Sequence, residues 1–168
     1  MKKAISAVLA ATMAMALLAG CGSGSGSDSG SGSSGSGETG GSQEAFRIGA
    51  IGPVTGGAAV YGEAVKNGAE LAVKEINEAG GIGGKQIEYK YEDDEHDAEK
   101  AVNAYNTLKD WGMHALLGTV TSAPCVAVGE VSQADNILML TPSGTAVECV
   151  QYDNAFPVCF SDPMQGLE

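Results

Sequence analysis

The chain is poor in basic residues. Its 168 residues include nine Lys and Arg against 21 Asp and Glu, which gives a formal net charge of −12 at pH 7. Nothing in the sequence resembles a basic patch, so nucleic acid is not expected as a partner. Acidity of this size favours solubility and repulsion from anionic surfaces, but it does not identify a ligand.

Residues suited to catalysis or metal binding are also scarce. The two histidines, His96 and His114, have no nucleophile motif such as GxSxG beside them. There is no CxxC motif or Cys/His cluster, and the acidic segment 92–97 lacks EF-hand spacing, which favours a solvated acidic turn over a metal site. The glycines at 49–57 do not meet GxGxxG spacing. We therefore expect no catalytic site, metal or cofactor, and turnover that depends on Ser122 would be needed to support a hydrolase or nucleotide enzyme.

The N-terminus has the layout of a secretory signal. Lys2 and Lys3 precede an apolar run, Ala4–Leu18, that is short for a membrane-spanning helix. The segment LAGC, which ends at Cys21, resembles the lipobox of bacterial lipoproteins. The resemblance implies a signal peptide at 1–20 and a lipidated Cys21, since stable anchoring needs two or more acyl chains. The alternative is an ordinary cleaved signal followed by a chance cysteine.

Residues 21–43 form a separate segment made almost wholly of Gly and Ser. Such a composition cannot bury enough apolar surface to fold. It predicts a flexible tether that would hold a folded domain near a membrane surface.

Residues 44–168 alternate between strand and helix patterns. Strands are predicted at 46–52, 85–91, 114–119, 137–141 and 155–160, and helices at 61–79, 98–111 and 124–135. Asp97 is the predicted N-cap of the second helix, and Gly80-Gly81 ends the first. The alternation predicts an α/β fold in which helices flank a mostly parallel sheet. Because no helix is expected after the fifth strand, the region is interpreted as a partial ligand-binding lobe.

Two predicted helices carry an apolar stripe. In the first helix the stripe contains Val65, Ala69, Ala72 and Ile76, and in the second it contains Ala101, Ala104, Tyr105 and Leu108.

Three loops follow strands of the predicted sheet, at 53–62, 119–123 and 141–145. Ligands of open parallel sheets bind at the carboxyl ends of the strands, where these loops meet. The loops contain hydroxyls and small residues but no Lys or Arg, so an anion would meet backbone N–H groups, hydroxyls and a helix N-terminus. That chemistry suits the carboxylate of a zwitterion, over which Tyr61 could close. The alternative for each Ser or Thr is a turn or capping role.

The order and spacing of several motifs resemble a known family. They are GPVTG at 52–56, YG at 61–62, GGI at 80–82, TP at 141–142 and DP at 162–163. The chain resembles the leucine/isoleucine/valine-binding type of ABC-transporter receptor, which has the type I periplasmic binding protein fold. The resemblance implies a non-enzymatic receptor that binds a branched-chain or similar small amino acid between two lobes, of which this is the first.

The resemblance also implies partners and a location. The receptor would present its ligand to the permease of an ABC importer and would be held at the outer face of the cell membrane by lipidated Cys21. The alternative is a sensory module of the same fold that binds amides or other small organic acids.

The resemblance assigns a role to each candidate site residue. Ser122 would hold the ligand carboxylate through its hydroxyl and amide, and Thr145 would contribute its hydroxyl and backbone. Ser143 would offer its main-chain carbonyl to the ligand ammonium. Tyr61 would border the side-chain pocket, and Thr121 is the neighbour of this set.

Three cysteines lie in the predicted folded region, at Cys125, Cys149 and Cys159. An extracytoplasmic compartment permits disulfides. Cys149 and Cys159 flank a predicted turn and could pair, and the alternative is three buried free thiols.

Overall fold

The architecture comes from a computed structural model that describes residues 44–167. The predicted signal peptide (1–20) and the tether (21–43), with its lipidation site Cys21, lie outside the described residues. The elements in chain order are β1 (Phe46–Gly52), α1 (Ala59–Glu78), β2 (Ile87–Asp93), α2 (Ala98–Asp110), β3 (Ala115–Leu117), α3 (Ser122–Ala134), β4 (Leu138–Thr141), a 3-10 helix (Val147–Val150), β5 (Ala155–Pro157) and α4 (Asp162–Gln165).

The five strands form one sheet in the order β2-β1-β3-β4-β5, and every neighbouring pair is parallel. This confirms the predicted α/β fold with a parallel sheet flanked by helices. The chain runs outward from β1 to β2 and then returns to β3 on the other side of β1. The loops after β1 and β3 therefore diverge at a topological switch point, which is where open α/β sheets bind ligands.

The core lies between the sheet and the pair of helices α2 and α3. All four residues of the α2 stripe are buried, as the helical spacing predicts: Ala101, Ala104, Tyr105 and Leu108. The predicted N-cap is also confirmed, since Asp97 Oδ1 accepts a hydrogen bond from Lys100 N at 2.9 Å. Helix α3 packs beside α2, and its first turn lies at the carboxyl edge of the sheet because it follows β3.

Helix α1 packs over β2 and leaves part of its apolar stripe uncovered. Val65 and Ala69 are half-buried, whereas Ala72 and Ile76 are exposed. On β4 and β5 the side chains that alternate with the core residues are also exposed, at Leu138, Leu140 and Phe156. Because side chains alternate across a strand, these three share the face opposite α2 and α3.

Several boundaries differ from the sequence-based expectation. Helix α3 begins at Ser122, two residues before Pro124, because proline fits the first turn of a helix, where its missing N–H has no partner to lose. Strand β5 ends at Pro157 rather than at residue 160. The single turn α4 follows it, where no helix was expected.

Among residues 44–167, no helix combines the length and apolar character needed to cross a membrane. In the same range, no group of three or more His, Cys, Asp or Glu side chains is arranged to hold a metal ion.

Candidate ligand-binding site

Hydrogen bonds join the loops that follow β3 and β4. The Ser122 hydroxyl oxygen accepts from Thr145 N at 3.3 Å and from Ala146 N at 3.4 Å. The Ser143 hydroxyl donates to Val120 O at 2.6 Å. The structure therefore brings Ser122, Ser143 and Thr145 together at the carboxyl edge of the sheet.

Two buried threonines support these loops from below. Thr141 Oγ1 donates to Thr119 O at 2.9 Å and accepts from Gly144 N at 3.0 Å. Thr119 Oγ1 donates to Thr121 O at 3.1 Å. Both side chains are fully buried, so their hydroxyls serve the backbone of the site and not a ligand. In the sequence, the feature that could have indicated these supporting contacts is a threonine near the carboxyl end of β3 and of β4.

Thr121 has a different role from its neighbour Ser122. It is the N-cap residue of α3, but its side chain makes no capping hydrogen bond. Its hydroxyl instead lies 2.9 Å from His96 Nδ1. His96 thus ties the loop after β2 to the loop after β3, a contact that the sequence analysis missed. A ligand contact at Thr121 stays a prediction.

The first turn of α3 has open hydrogen-bond donors. No side chain caps it, and no hydrogen bond of the described residues uses the amides of Ser122 and Ala123. The Ser122 hydroxyl proton likewise has no acceptor among residues 44–167. A helix of 13 residues presents partial positive charge at this end, so the position favours a carboxylate.

Tyr61 lies in the first turn of α1, at the same edge of the sheet. Its side chain is 64% exposed. No hydrogen bond among the described residues joins Tyr61 to Ser122, Ser143 or Thr145, so its predicted contact with a ligand side chain stays a prediction.

The acidic segment 92–97, which begins in the last residues of β2, is not the fully solvated turn that its composition suggested. Asp93 accepts from Val54 N at 3.0 Å, Thr55 Oγ1 at 2.6 Å and Glu95 N at 2.9 Å, and so fastens the loop after β1. Asp94 is fully buried, and its Oδ2 has no partner among the described residues. Burial raises the pKa of Asp94, because it disfavours the charged form.

Replacing Asp93 by asparagine should lower the free energy of unfolding by about 1 kcal/mol at pH 7. Desolvation raises the pKa of Asp93, but the hydrogen bonds from Thr55, Val54 and Glu95 outweigh it and hold the pKa below its ordinary value. A lowered pKa contributes stability above the unfolded-state pKa, and this stability is lost as pH falls through the folded-state pKa. Urea unfolding between pH 7 and pH 2 should show that the free energies of unfolding of the wild type and Asp93→Asn become equal at acidic pH.

The matched control for this charge is Asp153→Asn, at an exposed position. It should leave the free energy of unfolding within about 0.5 kcal/mol at every pH. A gap between wild type and Asp93→Asn that stays constant down to pH 2 would contradict the assigned role of the carboxylate charge.

The three cysteines of the described region, Cys125, Cys149 and Cys159, are free thiols in the structure. Cys125 and Cys149 are buried and Cys159 is partly exposed, and the Cys149–Cys159 disulfide considered from the sequence stays a prediction. The Cys149 thiol points to Ser122 O at 3.8 Å and the Cys159 thiol to Gly144 O at 3.4 Å. The two sulfurs thus contact different parts of the site loops.

Comparison with known proteins assigns the fold to a family. The model of a family described as periplasmic binding protein matches residues 45–167. The chain belongs to this family. Periplasmic binding proteins are solute receptors, and the membership indicates an extracytoplasmic location.

Relatives of this periplasmic binding protein are similar over the same region. A Leu/Ile/Val-binding protein homolog 3 of Brucella melitensis is 38% identical over 121 residues, which are 71% of this chain and 33% of the relative. The leucine-, isoleucine-, valine-, threonine-, and alanine-binding protein of Pseudomonas aeruginosa is 35% identical over 125 residues, 73% of this chain and 34% of its own. The chain therefore spans about a third of the length of these relatives.

A solved structure agrees with the fold. The branched-chain amino acid transporter substrate-binding protein LivJ from Streptococcus pneumoniae, in complex with isoleucine, has 32% sequence identity and a TM-score of 0.68. The match covers 71% of this chain and 35% of that one. The resemblance to the leucine/isoleucine/valine-binding type is confirmed.

Proposed function

We propose that this periplasmic binding protein chain forms the first lobe of an extracytoplasmic receptor for a branched-chain or similar small amino acid. The receptor hands its ligand to the permease of an ABC importer and carries out no catalysis. Its predicted anchor is the lipidated Cys21, with residues 21–43 as the tether. Membership of the family and the ligands named for the relatives above support this proposal.

The open first turn of α3 is the observation that carries the proposal. There the Ser122 hydroxyl and the amides of Ser122 and Ala123 can donate to a carboxylate. The Thr145 amide already points to Ser122 Oγ at 3.3 Å and can turn to the same anion. Together these donors would replace the hydration of one carboxylate group.

The charge around α3 decides which anion is suitable. Among the described residues, no Lys or Arg forms a hydrogen bond or ion pair with the loops after β3 and β4, so neutral donors and the helix end would balance the ligand charge. A single carboxylate carries one charge and matches this set, whereas a polyphosphate would bring several charges with no cation to meet them. The ammonium of an amino acid would meet main-chain carbonyls such as that of Ser143.

A titration by amide-resolved NMR tests the ligand class. Leucine, isoleucine and valine at millimolar concentration should cause saturable shifts at the amides of Ser122 and Thr145. Matched ligands separate the two charged groups of leucine: isopentylamine has no carboxylate and 4-methylpentanoate has no ammonium. We expect the amine to cause no shift at Ser122, because the donors of the α3 turn have nothing to bind.

Equal shifts with leucine and isopentylamine would contradict the proposal, because they would show that the α3 turn does not recognise the carboxylate. A well-dispersed spectrum without any saturable shift would exclude binding of the three amino acids by this lobe alone.

A further inference from the structure

Two buried thiols meet directly behind the candidate site. Cys125 lies one turn into α3 and is 0% exposed, and Cys149 lies on the 3-10 helix and is 1% exposed. A Cβ atom built on Gly144 would lie 3.1 Å from the Cys149 sulfur and 3.3 Å from the Cys125 sulfur. Both sulfurs therefore lie near the same point from two different elements, and the Cys125 thiol points to the Cys149 carbonyl oxygen at 3.9 Å.

The two thiols differ in their chemistry. The contact with Cys149 lowers the pKa of Cys125, although burial opposes this shift. The same contact, together with burial, raises the pKa of Cys149. A thiolate is the form that attacks a disulfide, and both thiols are buried, so exchange with a donor requires the chain to open around them.

The third thiol is placed differently. Cys159 lies after β5, is partly exposed, and contacts the Gly144 carbonyl oxygen at 3.4 Å. The sulfurs of Cys125 and Cys149 are among the three atoms nearest to a Cβ built on Gly144, whereas the sulfur of Cys159 is not. The geometry thus favours one pair of the three.

We propose that Cys125 and Cys149 form a dithiol–disulfide pair that locks the two loops of the ligand site together. Cys125 lies three residues after Ser122, and Cys149 lies four residues after Thr145. A bond between their sulfurs would join α3 to the 3-10 helix immediately behind both residues. The pairing does not require a ligand, so it stands independently of the proposed function.

The oxidant is a disulfide, either of a thiol–disulfide exchange protein or of a small molecule such as oxidised glutathione. In the opened chain one thiolate of the pair, here Cys125, attacks one sulfur of the donor, and the donor releases its other sulfur as a thiolate. Cys149 then loses its proton and attacks the Cys125 sulfur, which releases the second donor thiolate. The chain loses two electrons and two protons, and the donor is reduced to two thiols.

Peptide mapping by mass spectrometry tests the pairing without any mutation. The full chain is reduced and then exposed to oxidised glutathione, once in the native state and once during refolding from urea, because both thiols are buried. Free thiols are then alkylated. No Lys or Arg follows Lys109, so cleavage at Asp and Glu is needed. Asp28, Glu130 and Asp153 separate the four cysteines of the chain from one another.

The expected product is a cross-linked peptide pair containing Cys125 and Cys149, lighter by two hydrogen atoms than the two reduced peptides, with Cys159 alkylated. As a matched control, Cys159→Ala should oxidise to the same extent as the wild type, whereas Cys125→Ala should give no cross-link to residue 149. A Cys149–Cys159 linkage, or complete alkylation of Cys125 and Cys149 after both treatments, would overturn the proposal.

Discussion

Replacing Gly62 by alanine should lower the free energy of unfolding by about 3 kcal/mol. Gly62 is the buried residue of α1, and a Cβ atom there would lie 1.8 Å from the carbonyl oxygen of Pro53. Both groups belong to the backbone, so no side chain can turn aside. Either α1 must move off the sheet or the loop after β1 must be rebuilt. Urea unfolding followed by far-ultraviolet circular dichroism would measure the loss.

The same helix contains a matched control. Gly68 has nothing within 4 Å of its built Cβ, so Gly68→Ala should gain stability by about 0.5–1 kcal/mol from helix propensity alone. The two variants make the same chemical change, and their effects should have opposite signs. Equal effects of Gly62→Ala and Gly68→Ala would contradict the close approach of α1 to Pro53.

Replacing Ser122 by alanine should weaken amino-acid binding by roughly 10- to 100-fold, provided that the proposed function is right. A hydrogen bond to a charged group contributes about 1.5–3 kcal/mol, and the Ser122 hydroxyl is the side-chain donor in the first turn of α3. The change also removes the acceptor of the Thr145 and Ala146 amides, which loosens the loop that would close on the ligand. The NMR titration with leucine measures the dissociation constant of each protein.

Ser161→Ala is the control for this change, because Ser161 is the N-cap residue of α4 and its side chain makes no capping hydrogen bond. It should bind leucine as the wild type does. An unchanged dissociation constant for Ser122→Ala, in a protein whose spectrum shows a native fold, would remove Ser122 from the site.

The elements with a local cause could be predicted from the sequence. The α2 stripe is buried as its spacing predicts, since four residues at helical intervals share one face. Asp97 caps α2 because a carboxylate before a helix accepts from its first-turn amides. The parallel sheet followed from the alternation of strands and helices, and the placing of the site at its carboxyl edge followed from the sheet.

The contacts between distant loops could not be predicted in the same way. His96 and Thr121 are 25 residues apart, and neither the composition nor the spacing around them indicates the pair. The acidic segment after β2 looked solvated because acidic residues usually are, yet Asp94 is buried beneath the turn. Such contacts depend on how loops meet after the sheet has formed, and a local pattern holds no information on that.

The register of the sheet has a consequence for the time at which the protein folds. Phe46 on β1 pairs with Ile87, and Ile48 pairs with Ala115. The central strand β1 is synthesised well before its partners β2 and β3. Pairing between residues so far apart in sequence slows folding. During synthesis, β1 leaves the ribosome with neither neighbour available. A protein with an extracytoplasmic destination gains from this delay, because a chain that has not yet folded can still be threaded through a membrane.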